Sequence, residues 1–211
     1  FWSGTSWHQK WSAERNQSVQ LPDAFSRTWL KPGYERFEFA FPNVAGTTVS
    51  IDDEKFADKV VMVTLAGTWC PNCNDEARYL APFYQKYREQ GLEIVALMFE
   101  HFDDATLAAE QVRLFREKHD IEYDTLIAGI SDKAEAEKAL PSLSSVLAFP
   151  TTIFIDRDGR VRQIHTGFSG PGTGEHYVHL QKQFVDLVTE LLAEPPDLIE
   201  SLTGAGADEN N

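Results

Sequence analysis

The chain has 211 residues, 42% of them apolar and 12% aromatic, enough to bury a core without disulfide staples. Its 33 acidic against 19 basic residues leave a formal charge of -14. With no Lys/Arg run, that balance excludes a phosphate-neutralising nucleic-acid surface and docking on an anionic membrane face, and fits a self-repelling, solvated exterior. The length suits one domain with something to spare, or two small ones.

Phe1 opens the chain without an initiator Met or a signal peptide, which reads as a fragment of a longer precursor. Residues 1–33 carry Trp2, Trp7 and Trp11 with no clean period, then two prolines. They read as the tail of an upstream domain plus a linker. From Tyr34 the pattern sharpens. ERFEFAF alternates Phe37, Phe39 and Phe41 as a half-buried strand does, PNVAG turns the chain, and TTVSI returns, predicting a β-hairpin. VVMVTLAG is a continuous β-branched run, expected of a central strand covered on both faces. A helical stretch then runs to Gln90 and is stopped by Gly91. LEIVALMF predicts a second buried strand, too short for a membrane span. DATLAAEQVRLFREKHD predicts a helix with an acidic start.

The middle, residues 121–147, is less regular. SDKAEAEKAL has a helix composition and ends at Pro141. PTTIFID, the turn DRDG and RVRQIHTG predict a closing hairpin, and EHYVHLQKQFVDLVTELL a last amphipathic helix. The glycines of residues 167–174 lack the GK[ST] ending of a phosphate cradle and serve backbone angles instead. Residues 194–211 read as a flexible tail. The sum is an α/β domain over residues 34–193, with an N-terminal β-hairpin, a central mixed sheet flanked by helices, and a middle insertion.

The only two cysteines, Cys70 and Cys73, sit in TLAGTWCPNCNDEARYL, directly after the central strand. A disulfide across so short a loop contributes about 2 kcal/mol by chain entropy, against about 5 for a loop of ~100 residues, so stability is a weak motive. Chemistry is a better one. Cys70 falls where strand gives way to helix, and the unpaired N–H groups and dipole of a helix start favour a thiolate. Pro71 suits the first helical position. Cys73, a turn further on, can reach Cys70, so Cys70 would attack a substrate disulfide and Cys73 would resolve the mixed disulfide.

Three rivals stand beside this. Zinc needs four ligands, and the HxxH of His176 and His179 lies far along the chain. An inert disulfide runs against the loop arithmetic. A one-cysteine peroxidase needs a threonine three residues before the thiol, whereas Thr68 is two before and Cys73 is left without a part. Glu76 reads from spacing equally as a solvated helix carboxylate and as a buried acid.

AGTWCPNCNDE followed by AFPTTIFID resembles the thioredoxin superfamily, and within it the TlpA/ResA-like thiol–disulfide oxidoreductases of bacterial envelopes, over roughly residues 37–192. The resemblance implies a thioredoxin fold with a branch-specific insertion in its middle. It implies Cys70 and Cys73 as attacking and resolving thiols, Pro150 as the cis-proline facing them, and Glu76 as the buried acid of ResA-like members. Thioredoxin carries an Asp six residues before the first cysteine; this chain has Thr64, and the proton-handling group would move to Glu76. Relatives carry a proline two residues after that acid, where this chain has Arg78, with Pro82 a turn later. Trp69, Pro71 and Phe149 are the expected substrate contacts.

The activity implied is exchange of protein disulfides, more as a reductant than an oxidant, fed by an upstream thiol reductant. It needs no bound cofactor and no metal beyond the Cys70–Cys73 redox pair. The location implied is periplasmic or cell-envelope, with a membrane tether supplied by a missing N-terminal part. A second class stays open: a thioredoxin-fold metal-binding or scaffolding module with little redox activity, which stoichiometric zinc or copper after purification would reveal.

Overall fold

The computed structural model describes residues 22–195, together with residues 12, 14, 15 and 18. Trp2, Trp7, Trp11 and the chain beyond residue 195 lie outside the described residues.

The phenylalanine alternation leads into a hairpin in which β1 (Ala40–Pro42) pairs antiparallel with β2 (Thr48–Ser50). Asn43 shapes its turn. Its Oδ1 accepts the N–H groups of Ala45 and Thr47, and Gly46 takes φ 82°, open to glycine without strain. The regular strand is shorter than the FxFxF pattern suggests: Phe37 and Phe39 are buried in the core, but beyond Ala40 the pairing continues only as the bond from the Ile51 N–H to the Phe39 carbonyl.

Next comes β3 (Val60–Ala66), all seven residues buried, then α1 (Pro71–Tyr87), which a short 3-10 turn and Gly91 at φ 103° terminate. β4 (Leu92–Glu100) follows, then α2 (Ala105–His119), capped by the Asp104 carboxylate on the N–H groups of Thr106 and Leu107. The stretch that reads as irregular holds a further strand, β5 (Asp124–Ile130), and α3 (Lys133–Ala139). The chain closes with β6 (Thr151–Ile155), β7 (Val161–Thr166) and α4 (Glu175–Ala193).

The main sheet has the order β5-β4-β3-β6-β7, with β3, β4 and β5 parallel and β6 and β7 antiparallel to their neighbours. Because side chains alternate along a strand, β3 feeds two cores. Val60, Met62 and Ala66 pack with β4 and with Leu80, Phe83, Leu180 and Phe184 of α1 and α4. Val61, Val63 and Leu65 face the hairpin, through Phe37, Phe39 and Val49, and the segment around α3. Thr64 has the parity of the first set and faces α1, which matters below.

The folded body begins before residue 34, where the sequence places a linker. Thr28 is buried with its hydroxyl 3.0 Å from that of Thr166, Leu30 bridges Leu143, and the Phe25 ring meets His165 edge-on. These contacts, a hydroxyl pair, a backbone bridge and a ring edge, reach the last strand and the 140s, which local composition does not encode. At the other end Glu194, placed in the tail from sequence, pairs with Arg162. Among the described residues no helix is long and apolar enough to cross a membrane.

Candidate active site

β3 ends at Ala66 and the chain turns into α1 through Gly67, Thr68 and Trp69. Gly67 is required there: a Cβ would sit 2.4 Å from Trp69 Nε1 and 2.7 Å from the Phe99 carbonyl oxygen. The indole uses that approach to donate to the Phe99 carbonyl at 2.8 Å. Trp69 then stacks on His101 and meets Phe149 edge-on, with part of the ring open to solvent.

Cys70 is the N-cap of α1 and Pro71 its first residue. The Cys70 sulfur accepts the Cys73 backbone N–H at 3.3 Å, and its thiol reaches the Phe149 carbonyl at 3.4 Å. Both thiols are free, Cys70 at 5% and Cys73 at 1% exposure. The hydrogen bond from the Cys73 thiol, helped by the backbone N–H groups of Cys73 and Asn72, outweighs burial and brings Cys70 down to about 7. Burial drives Cys73 far the other way, and negative charge on Cys70 and Glu76 adds to it. One sulfur is a ready thiolate at neutral pH; the other keeps its proton.

Glu76, the next turn of α1, is wholly buried. Thr64 Oγ1 donates to Oε2 at 2.6 Å and Thr152 Oγ1 to Oε1 at 2.7 Å. The two threonines are direct cross-strand partners of β3 and β6. Desolvation outweighs these neutral donors and raises the carboxyl to about 7. The peptide bond between Phe149 and Pro150 is cis, and Pro150 is buried at the entry to β6.

The seven residues singled out from sequence, Cys70, Cys73, Glu76, Pro150, Trp69, Pro71 and Phe149, therefore converge on the C-terminal end of β3. His165 lies away from them, buried under α4 with Nδ1 2.9 Å from the Gly167 carbonyl, and His176 and His179 are exposed on α4. Among the described residues no group of three or more His, Cys, Asp or Glu is placed to hold a metal ion.

Sequence reading passed over three groups here. Thr152 needs the β3–β6 register to be found. Glu100, at the end of β4, is buried with a raised carboxyl owing to desolvation, and accepts both the N–H and the hydroxyl of Thr68, at 2.9 and 2.6 Å. Asn74 sits between the thiol loop and α2. An open cleft of about 380 Å3 runs beside Trp69, walled by His101, Phe102, Leu114, Phe115 and Lys118.

Residues 31–177 match the model of the Redoxin family. The chain belongs to that family. It is 31% identical over 134 residues to the thiol-disulfide oxidoreductase ResA of Bacillus thuringiensis, covering 64% of this chain and 69% of that protein. To the thioredoxin-like protein YneN of Bacillus subtilis it is 27% identical over 138 residues, 65% and 73% of the two chains. Among solved structures, a secreted thiol-disulfide isomerase from Corynebacterium glutamicum superposes with TM-score 0.60 at 16% identity, over 83% of this chain and 97% of that one. A thioredoxin-family thiol:disulfide interchange protein from Chlorobium tepidum gives 0.56 at 19%, over 75% and 95%. The fold is thioredoxin-like, and the protein is a ResA-like thiol–disulfide oxidoreductase of the thioredoxin superfamily.

Proposed function

We propose that this redoxin reduces protein disulfides through Cys70 and Cys73, with Glu76 as the proton carrier. The observation that carries the reading is the asymmetry of the pair: Cys70 lies at a helix start with its thiol near 7, while Cys73 is buried and strongly protonated. The Cys70 thiolate attacks a substrate disulfide, forming a mixed disulfide and releasing one substrate thiolate. Ionised Glu76 takes the Cys73 proton, and the new thiolate attacks the Cys70 sulfur. The second substrate sulfur leaves as a thiolate, and protons from the solvent and the Glu76 carboxyl complete the two substrate thiols. Two electrons pass to the substrate and Cys70–Cys73 becomes a disulfide. An upstream thiol reductant restores the pair, and no bound cofactor enters any step.

Trp69, Pro71 and Phe149 frame the sulfur that reacts, and the backbone at Phe149 and Pro150 is the surface on which an extended substrate segment would pair. The likeness to ResA proteins and to a secreted isomerase supports a cell-envelope location, with any membrane tether outside the described residues. The direction is assigned as reductive, and a redox potential below that of the common thiol buffers is the expected result.

The test is trapping. Cys73→Ser should accumulate mixed disulfides with substrate protein and Cys70→Ser should not, read on non-reducing gels. The opposite pattern, or stoichiometric zinc or copper on the purified protein with no turnover, would transfer the thiols to a binding role.

A further inference from the structure

Asn74 follows the thiol pair and is engaged on every side. Its Nδ2 donates to the Thr68 carbonyl at 3.1 Å and to the Cys70 carbonyl at 2.9 Å. Its Oδ1 accepts from Lys118 Nζ at 2.7 Å and lies 2.9 Å from His119 Nε2, both at the end of α2. The partners fix the amide's orientation. Two carbonyls can only accept and an ammonium can only donate, so nitrogen faces the loop and oxygen faces α2. It follows that His119 Nε2 carries a proton.

On the far side of the same loop Glu100 holds Thr68 by its N–H and its hydroxyl. Residues 68–70 are thus clamped between β4 and α2 by side-chain hydrogen bonds alone. The loop's own backbone bonds are few: Cys70 N–H to the Gly67 carbonyl, and Asn74 N–H to the Cys70 carbonyl.

We propose that Asn74 is a positioning residue for Cys70: by gripping the carbonyls on both sides of Trp69 and anchoring them to α2, it keeps the sulfur on the Cys73 N–H. That contact is 3.3 Å long and aims at a single sulfur, so a small relaxation of the loop weakens it steeply. The chemistry is untouched by Asn74 itself, which contacts no reacting atom. The inference rests on Cys70 being the attacking thiol, as proposed above.

Asn74→Leu keeps the γ-branched shape, though not the smaller size, and removes both donors and the acceptor. The reduced wild-type protein and the variant are titrated with iodoacetamide from pH 5 to 9, and the labelled cysteine is identified by peptide mapping. The midpoint for Cys70 should rise by about half to one pH unit in the variant, slowing alkylation at pH 6 by about three- to tenfold. Should the leucine variant not fold, as judged by circular dichroism, Asn74→Ser carries the same comparison. A variant that is folded and has the wild-type midpoint overturns the proposal, since a merely structural asparagine would leave the profile in place. Faster labelling of Cys73 in the wild type is a separate result: it defeats the assignment of the attacking thiol, and this inference with it.

Discussion

The two ends of β3 use the same residue types for opposite purposes. At the C-terminal end two glutamates, Glu76 and Glu100, are each 1% exposed, and the partners on their oxygens are threonine hydroxyls and one backbone N–H. At the N-terminal end a shallow hollow of about 250 Å3 is ringed by Asp52, Asp53, Asp58, Asp156 and Asp158 with Arg36, Lys59 and Arg157. There Asp156 meets the Arg162 guanidinium, Asp52 meets that of Arg36, and Asp53 accepts the Ser50 N–H. Neutral donors compensate a buried charge poorly, so burial raises both carboxyls at the thiol end, that of Glu76 to about 7. Cations and water serve the other end. Burial against neutral hydroxyls suits Glu76 to carry a proton; at the other end Asp156 is also buried, at 5% exposure, but has a guanidinium and two backbone N–H groups as partners, while Asp52 lies exposed.

The comparison breaks first at Glu76. Its carboxyl titrates at about 7 in the folded chain against 4.5 as reference, so between those values the folded protein binds more protons than the unfolded one. The stabilisation from the protonated form is therefore complete below about 4.5 and is lost as pH rises through about 7. The difference amounts to about 3 kcal/mol. Glu76→Gln should flatten that fall by a comparable amount, measured by urea denaturation between pH 4.5 and 8 with both cysteines replaced by serine so that no thiol titrates. In the protein with its thiols, the same substitution should slow disulfide exchange. If Glu76→Gln leaves the pH dependence of that cysteine-free protein unchanged, Glu76 is not the desolvated acid described.

Much of the thiol end was legible in advance, because its signals are local. Cys70, Pro71 and Cys73 announce a helix start, the β-branched run before them announces a covered strand, and Gly91 marks where the helix must stop. What was not legible depends on register or on contacts between distant segments. Thr152 becomes a partner of Glu76 only because it lies opposite Thr64 across β3 and β6. β5 is hard to read because its DTLIAGI opens on Asp124 and carries Ala128 and Gly129 before its last residue, Ile130, all three with weak strand preference, and its ladder with β4 slips at Met98/Phe99. The 28–31 strap carries two prolines at its flanks and no period, yet Thr28 is buried by a hydroxyl on β7. Asn74 reads as any polar residue on a helix; two of its four partners are the loop carbonyls of Thr68 and Cys70, and the other two come only from α2, through Lys118 and His119.

A second break sits at the other end, at Asp156. Its carboxylate Oδ1 accepts the N–H groups of Asp158 and Arg160 at 3.0 and 2.9 Å, closing the β6–β7 turn while the residue stays 5% exposed. Asp156→Ala leaves those donors without their acceptor and should cost about 1–3 kcal/mol in denaturant unfolding. The Cys70 alkylation profile should stay where it is. A shifted profile would show that the turn communicates with the thiols, and the separation between the ends of β3 would have to be given up.

The smallest effect is expected at the rim of the same hollow. Arg36 and Asp52 approach to 3.8 Å with their side chains 50% and 73% exposed, so solvent and salt screen the pair. Pairs of this kind are worth about 0–1 kcal/mol, and the geometry here is too long for the upper half of that range. A double-mutant cycle of Arg36→Ala and Asp52→Ala should give a coupling below about 0.5 kcal/mol that fades further in ~1 M salt. Arg36 has a second contact that could confuse a single mutant: its guanidinium lies over Gly159, where a Cβ would come within 3.0 Å of Nε. The cycle cancels that contribution, because it is present or absent equally in both arms. A coupling of 2 kcal/mol or more would mean that this end holds its charges as tightly as the thiol end holds its acids, and the contrast would then lie in the partners alone and not in the burial.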